Sequence, residues 1–322
     1  MILVTGAAGF IGSSIVWELN NMGRDDIIVS DKFHKKDKWK NLIKRKFYDW
    51  VDREELFEWL EKNGKKIDII IHMGANSATT EKDVDFLMKN NYEYTKRLFN
   101  FSLENGVRFI YASSAATYGG GENGYNDDED KISKLQPLNP YGFSKQLFDL
   151  WELKQEDKPK QWVGLKFFNV YGPNEYHKDR MASVVYHAYN QAKENGVVKL
   201  FKSHKENYKN GEQLRDFVYI KDVTKVIKFF IENENYSGIY NLGTGQARSF
   251  YDLAKNTMNS MGIVENIKFI DMPVDIRDKY QYFTEANMDK LKSIGYKEEF
   301  YSLEKGIKDY VKNYLMNEDR YL

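Results

Sequence analysis

Along the first half of the chain, short apolar runs alternate with longer stretches whose apolar positions recur every three or four residues. Ile2 to Thr5, Ile27 to Asp31, Ile67 to His72, Arg108 to Ala112 and Val163 to Phe168 read as strands. Near-continuous apolar runs of this length are what parallel strands covered on both faces require. Between them the spacing predicts helices: one from the glycines after Thr5 to about Met22, one from about Asp83 to Glu104, and one beginning at Tyr141. Strands alternating with helices predict an α/β fold, a doubly wound parallel sheet that binds ligands at its strand C-termini. Further on, Phe217 to Ile220 reads as a short strand, Met181 to Asn195 as a helix, and Gly119 to Lys134 as a surface loop. The remainder, Asp271 to Leu322, reads as a lobe ending in two helices. The expected organisation is a Rossmann-type domain, 1–168 with 217–245 returning to it, and a smaller mixed α/β substrate-binding lobe, 169–216 and 246–322.

Composition narrows the function classes. With 48 basic and 48 acidic residues the net charge is zero, so no excess charge predicts nucleic acid or an anionic membrane as partner. The chain has no cysteine, which excludes disulfides and thiolate metal sites; no metal is expected. No apolar run approaches the roughly 18 residues that span a bilayer, and the start lacks a basic leader. A soluble, cytoplasmic protein is expected.

The candidate chemistry lies where predicted strands end. Gly6, Gly9 and Gly12 stand between the first strand and its helix, where glycines let the backbone approach a pyrophosphate and the helix N-terminus offers it N–H groups. Asp31 ends the second strand, 19 residues after Gly12, and an acid there suits the ribose hydroxyls of NAD. Lys32, Lys35, Lys36 and Lys38 follow, with Arg53 beyond the next strand; these cations read equally as a solvated loop or as a site for a 2′-phosphate. His72 reads as a packed strand-end residue, and Met73 to Ala78 as a small, polar turn beside a cofactor. Ser114, at the end of another strand, is placed to bond a substrate hydroxyl. Tyr141 and Lys145 are four apart on a helix entered through Pro137 and Pro140, so both tips reach one spot, and an ammonium near a phenol favours the phenolate. The same spacing recurs at Tyr92/Lys96, Tyr189/Lys193, Tyr251/Lys255 and Tyr301/Lys305, so spacing alone does not select a pair.

The glycine motif, Ser113 to Gly119, Asn139-Pro140-Tyr141-Gly142-Phe143-Ser144-Lys145, Phe167 to Pro173, Arg215 to Val223 and Tyr240 to Gly245 together resemble the extended short-chain dehydrogenase/reductases of the sugar-nucleotide class. Ser113 to Gly120, His177-Lys178 with Met181 to Val184, and Tyr280-Gln281 with Phe283-Thr284 resemble more closely the ADP-glyceromanno-heptose 6-epimerase family, whose product enters the lipopolysaccharide inner core. This resemblance implies an epimerase of an ADP-heptose sugar nucleotide. Tyr141 and Lys178 are then the acid/base pair, Ser114 bonds the reacting hydroxyl, and Lys145 orients the nicotinamide ribose and tunes Tyr141. Gly6, Gly9, Phe10, Ile11, Gly12, Asp31, Lys32, Lys38, Arg53, Gly74, Ala75, Asn76, Ser77, Ala78 and Asn91 hold the dinucleotide. Asn169, Val170, Arg180, His187, Phe201, Lys202, Ser203, His204, Arg215 and Tyr280 line the substrate site. Lys38 and Arg53 match cations of members that use NADP, which favours tightly bound NADP over NAD; members also form homo-oligomers. The chain departs from the family's pattern at Arg180, often serine, at Asn76, and in a stretch near Tyr208 to Gln213 that reads as inserted. Dehydratases of this superfamily carry an acid pair after the serine or threonine; Ala115 and Ala116 stand there, leaving epimerases, this one or a 4-epimerase, ahead of a non-catalytic NADP-binding subunit.

Overall fold

The computed structural model describes residues 1–33, 37–277 and 280–322. Its strands are β1 (Ile2–Thr5), β2 (Ile27–Asp31), β3 (Asp49–Asp52), β4 (Ile69–His72), β5 (Arg108–Ser114), β6 (Trp162–Phe167), β7 (Asn169–Tyr171), β8 (Val198–Phe201), β9 (Leu214–Tyr219), β10 (Gly238–Leu242), β11 (Ala247–Ser249) and β12 (Ile267–Ile270). Seven of them form one sheet in the order β10-β6-β5-β4-β1-β2-β3, and every pairing in it is parallel. Successive strands leave β1 in opposite directions, β2 and β3 to one side and β4 to β6 to the other. That reversal, at the carboxyl ends of β1 and β4, is where sheets of this topology bind ligands.

Alternate residues of each strand supply two cores. Leu3, Ile28, Ile70 and Phe109 meet Phe99 and Phe148 on one face. Val4, Val29, Ile71 and Ile110 meet Ile15, Leu19 and Val223 on the other. Both faces are covered, which is why the strands read as unbroken apolar runs.

The chain leaves the main sheet through β7, one residue after β6. Of the segment 217–245 expected to return, β10 pairs with β6 in the main sheet, whereas β9 joins β7 and β11 in a three-stranded sheet. A further two-stranded sheet pairs β8 with β12.

Three expected elements differ in detail. The helix expected over Asp83 to Glu104 is Val84–Leu87, a π-type turn Met88–Glu93, and Tyr94–Asn105. The wide turn falls on Asn90 and Asn91, both buried, and apolar spacing carries no sign of it. The helix expected from Met181 begins at Val184, because Ser183 caps it by accepting from the Tyr186 N–H. The expected loop 119–134 contains a helical turn, Glu129–Ile132, capped by Asp128 and pinned by the buried Ile132. Among the described residues no helix is long and apolar enough to cross a membrane.

Candidate functional site

After β1, Gly6 turns at φ +65°, and a β-carbon on it would lie 2.7 Å from the Gly74 Cα. A β-carbon at Gly12 would lie 2.2 Å from the Gly6 carbonyl oxygen. The turn after β1 and the turn after β4 therefore touch backbone to backbone, with no space for side chains. The helix that follows, Phe10–Asn21, has Gly9 as its cap and no side-chain bond closing that end, so its first N–H groups are left for an anion. This cradle fits a dinucleotide pyrophosphate. Asp31 closes it at the far side: its carboxylate accepts from the Ala8 N–H at 2.8 Å, the Lys32 N–H at 2.7 Å and Lys38 Nζ at 2.5 Å.

The other expected cofactor residues surround this cradle. Lys32 reaches Glu54 at 3.2 Å, and the Arg53 guanidinium lies 4.6 Å from the centre of the Tyr94 ring. Lys35 and Lys36 lie outside the described residues. Asn91 ties the Gly74–Ala78 turn to the Tyr141 helix: it accepts from the Asn76 N–H at 2.9 Å, donates to the Asn76 carbonyl at 2.9 Å, and donates to Ser144 Oγ at 3.0 Å. The π-type turn gives Asn91 this reach, and such turns concentrate at functional sites. His72 is packed, with its ring nitrogens 2.6 Å from Thr5 Oγ1 and 2.9 Å from Thr95 Oγ1, and burial holds it well below the ordinary imidazole range.

The Tyr141 helix, Pro140–Leu153, starts on a capping bond from the Gly142 N–H to Asn139 Oδ1 at 2.8 Å, with Pro140 in its first turn. A β-carbon at Gly142 would stand 2.6 Å from the Ala116 carbonyl, so glycine lets the helix close on the Ser114 turn. Tyr141 and Lys145 are both buried. Of the other pairs at this spacing, Lys96 lies over the Tyr92 ring at 4.8 Å, Tyr189 donates to the Leu315 carbonyl, Tyr251 bonds Glu265, and Tyr301 meets the Tyr219 ring edge-on.

Burial pushes the Tyr141 phenol above the ordinary value, and a hydrogen bond with Ser114 partly offsets this. Lys145 Nζ donates to the Ala112 carbonyl at 2.8 Å. Burial brings Lys145 down to about 8, against the pull of Asp149.

Below Lys145 lies a network that the sequence reading missed. Lys166 and Asp149 are both fully buried and 2.6 Å apart. Lys166 also donates to Thr117 Oγ1 at 2.8 Å, and Asp149 accepts from Ser113 Oγ at 2.7 Å and Tyr111 OH at 3.0 Å. The available signal was Asp149, one further four-residue step along the Tyr141–Lys145 face.

Lys178 projects from the short turn Tyr176–Met181. It is half-buried, and its Nζ lies 5.2 Å from the centre of the Phe10 ring, at the mouth of the glycine cradle. Burial lowers its pKa, and the charge of Glu175 opposes that. Arg180, two residues on, is exposed.

Arg215, the second residue of β9, is buried between aromatic rings, 5.2 Å from Tyr280 and 5.6 Å from Phe250, and donates to the Gln281 carbonyl. Gln281 in turn donates to the Gly119 carbonyl, so the 280–281 segment bridges Arg215 and the turn after Ser114. Tyr125 and Tyr208 also lie within electrostatic reach of Arg215; neither was singled out in the sequence. Asn169 and Val170 begin β7, in register with Phe217 and Val218. His187 is half-buried on the helix Val184–Asn195. Phe201 ends β8; Lys202 pairs with Asp271 at 3.2 Å, the Ser203 N–H donates to Asn210 at 2.9 Å, and the exposed His204 donates its N–H to Tyr282 OH at 2.9 Å. Lys202 and His204 are thus tied to the 271–282 segment, and Ser203 to its own loop.

Residues 2–243 match the model of the NAD dependent epimerase/dehydratase family. The chain is 59% identical to the ADP-L-glycero-D-manno-heptose-6-epimerase of Fusobacterium nucleatum, with both chains covered completely. It is 48% identical to the enzyme of that name from Nitratidesulfovibrio vulgaris strain DP4, again over both whole chains. The crystal structure of the Helicobacter pylori ADP-L-glycero-D-manno-heptose-6-epimerase superposes with a TM-score of 0.79 at 32% identity, covering 97% of this chain and 95% of that one.

Proposed function

The chain belongs to the NAD dependent epimerase/dehydratase family, and from that premise we propose that it inverts C6 of ADP-D-glycero-D-manno-heptose, giving the L-glycero epimer for lipopolysaccharide inner-core synthesis. The observation that carries this reading is 59% identity, end to end, with a relative of that name, in a chain that places Tyr141, Lys145 and Ser114 together beside a dinucleotide cradle. We assign 1–168 and β10 to the cofactor, and most of the remainder to the substrate.

The hydrogen on C6 is not acidic, so no side-chain base removes it as a proton. A bound nicotinamide would supply reversible hydride transfer at C6, which inverts the carbon when hydride leaves one face and returns to the other. The protein's residues handle the oxygen. Ser114, hydrogen-bonded with Tyr141, holds the reacting hydroxyl. Tyr141, buried and protonated, is suited to give a proton to the oxygen; Lys178, with its pKa lowered by burial, is suited to take one. Environments that push two groups' affinities for protons apart divide their roles in this way. Arg215 holds the ADP pyrophosphate by charged hydrogen bonds. Lys145 holds the nicotinamide ribose.

A second reading of Lys178 has one observation in its favour. Its ammonium sits over Phe10, the first residue of the glycine-loop helix, a place from which it would bind a phosphate.

The proposal is tested by incubating the purified protein with ADP-D-glycero-D-manno-heptose and following C6 by NMR. The expected result is a mixture of the two C6 epimers from either starting epimer. Inversion at C4 of a hexose nucleotide, with C6 of the heptose untouched, would replace this reading with a 4-epimerase.

For the cofactor we propose NADP. Asp31 accepts from three donors, so its charge is already compensated at the place where a 2′-phosphate sits, and Lys38 and Arg53 flank it. NADP is expected to bind more tightly than NAD in titration. Lys38→Ala with Arg53→Ala should narrow that preference, by about 1.5–3 kcal/mol for each charged hydrogen bond lost. Equal or tighter binding of NAD by the unmodified protein refutes the assignment.

A further inference from the structure

The turn that carries Lys178 is held by a buried carboxylate that the chemistry above does not use. Glu175 is 0% exposed. Its Oε1 accepts from the Gly172 N–H at 3.3 Å and from Ser183 Oγ at 2.7 Å, and its Oε2 accepts from the Ser183 N–H. Gly172 and Ser183 are the two ends of the segment with Lys178 near its middle. Ser183 Oγ accepts from the Tyr186 N–H at 3.3 Å, so its own hydrogen is free to go to Glu175. Every one of these contacts is a donor reaching the carboxylate; burial raises its pKa, and these donors together with the Lys178 charge oppose that rise. The Lys178 N–H also donates to the Glu175 carbonyl at 3.0 Å.

The backbone on either side is in an uncommon conformation. Asn174 has φ +76°, and Asp179, directly after Lys178, has φ +50°. Non-glycine residues held there cost on the order of 1–3 kcal/mol each and persist only where their surroundings fix them. Asn174 is fixed: it donates to Ser13 Oγ at 3.0 Å, and its carbonyl accepts from Asn41 at 3.0 Å. Glu175 supplies the corresponding anchor on the Lys178 side.

We propose that Glu175 is the positioning residue for Lys178: its carboxylate closes the turn that carries this lysine and is the negative charge set against the ammonium. The inference rests on the reading of Lys178 as an acid/base residue. Among the described residues, Lys178 and Tyr176 of the same turn and Tyr310 of the helix Leu303–Tyr310 interact electrostatically with Glu175. Both phenols are pushed up by burial and by the Glu175 charge, so they stay neutral, whereas Lys178 is a cation whose charge favours the ionised Glu175. The charge works against desolvation: burial drives Lys178 towards its neutral form, and Glu175 returns part of its proton affinity. A lysine that must both lose and regain a proton in one turnover needs that balance.

The test is the titration of Lys178 itself, read by competitive labelling of the lysines with trace acetic anhydride across pH and mass spectrometry of the Lys178 peptide. Glu175→Gln removes the charge with little change in shape. Lys178 is expected to titrate lower by about one pH unit in this variant, and turnover should fall while KM for the sugar nucleotide stays within about twofold. An unchanged Lys178 titration in a folded Glu175→Gln protein overturns the proposal. If that variant does not fold, Glu175→Asp keeps the charge and shortens the clamp. It should leave the Lys178 titration near that of the unmodified protein but lower turnover at least tenfold, and unimpaired turnover overturns the positioning role. Lys178→Met separates this inference from the reading it rests on: near-normal epimerisation there removes Lys178 from the chemistry, while the labelling still decides whether Glu175 sets its charge.

Discussion

Lys166→Met is expected to lower the stability of the fold by about 3–5 kcal/mol, the usual cost of stranding one member of a buried ion pair. Methionine fills a similar volume, so the loss measures charge and hydrogen bonds, not a cavity. Lys166 and Asp149 are both fully buried, and the lysine donates to Asp149 and to Thr117 while lying 5.3 Å from the Tyr118 ring centre. Without it Asp149 keeps, among the described residues, hydrogen bonds from the Ser113 and Tyr111 hydroxyls and the more distant Lys145 charge, in a site that already holds a second acid. Glu152 reaches the same phenol: Tyr111 OH is 3.0 Å from Asp149 Oδ1 and 3.0 Å from Glu152 Oε2. One phenol hydrogen cannot serve two carboxylates, so one acid must supply the second proton. Glu152 is that acid, because burial and the Asp149 charge raise its pKa well above the ordinary value.

A folded-state pKa above the unfolded one means that the folded protein keeps a proton which the unfolded chain gives up. Through Glu152, stability is therefore full below about pH 4.3, the unfolded value, and declines as pH rises from there towards the folded value. Glu152→Gln mimics the neutral acid and should remove that decline, leaving stability at neutral pH unchanged or increased. Urea denaturation of both variants at pH 5 and pH 8 checks the pair. A loss below about 1 kcal/mol for Lys166→Met, or a large loss for Glu152→Gln at pH 8, would contradict this charge assignment.

What could be read from the sequence follows from how far each feature reaches along the chain. Five of the seven main-sheet strands were legible because both their faces are buried, so each appears as a local apolar run; β3, whose Asp49 and Trp50 are exposed, has no such run, and β10 was not read as a strand. The glycine cradle was legible because its steric demand on Gly6, Gly9 and Gly12 falls within one turn. Tyr141 and Lys145 were legible as a pair on one helix face, but their surroundings were not: Lys145 donates to Ala112, 33 positions away, and no local pattern announces that bond. The Asp149–Lys166 pair joins a helix to a strand and is invisible for the same reason. The π-type turn at Met88–Glu93 shifts the helical phase by one residue, which a period of 3.6 cannot register. Glu175, three residues before Lys178, was not singled out, because no local pattern announces its complete burial.

Tyr141→Phe and Lys178→Met are each expected to lower epimerisation by about 10²–10⁴, the span for loss of one general acid or base. Tyr141→Phe removes the phenol oxygen that Ser114 bonds, and Lys178→Met removes the charge, both with little change in volume. Binding of the ADP-heptose should weaken little for Tyr141→Phe, because the oxygen is a single contact, so kcat falls and KM holds. The two proton affinities are displaced in opposite directions, Tyr141 upward and Lys178 downward, each chiefly by burial. A phenol that stays protonated can give the oxygen a proton on one face, and a lysine more readily found neutral can take one on the other. The double variant should then be scarcely slower than the slower single one, since a complete inversion needs both groups and the second loss removes nothing that still works. A substrate with an aldehyde at C6 sharpens the test. The cofactor-loaded enzyme should dismutate it, one molecule leaving as acid and one as alcohol, and each single variant should lose that reaction along with epimerisation. If Lys178→Met instead keeps near-normal epimerisation, its place over Phe10 marks it as a phosphate ligand, and a single acid/base residue, Tyr141, must serve both faces.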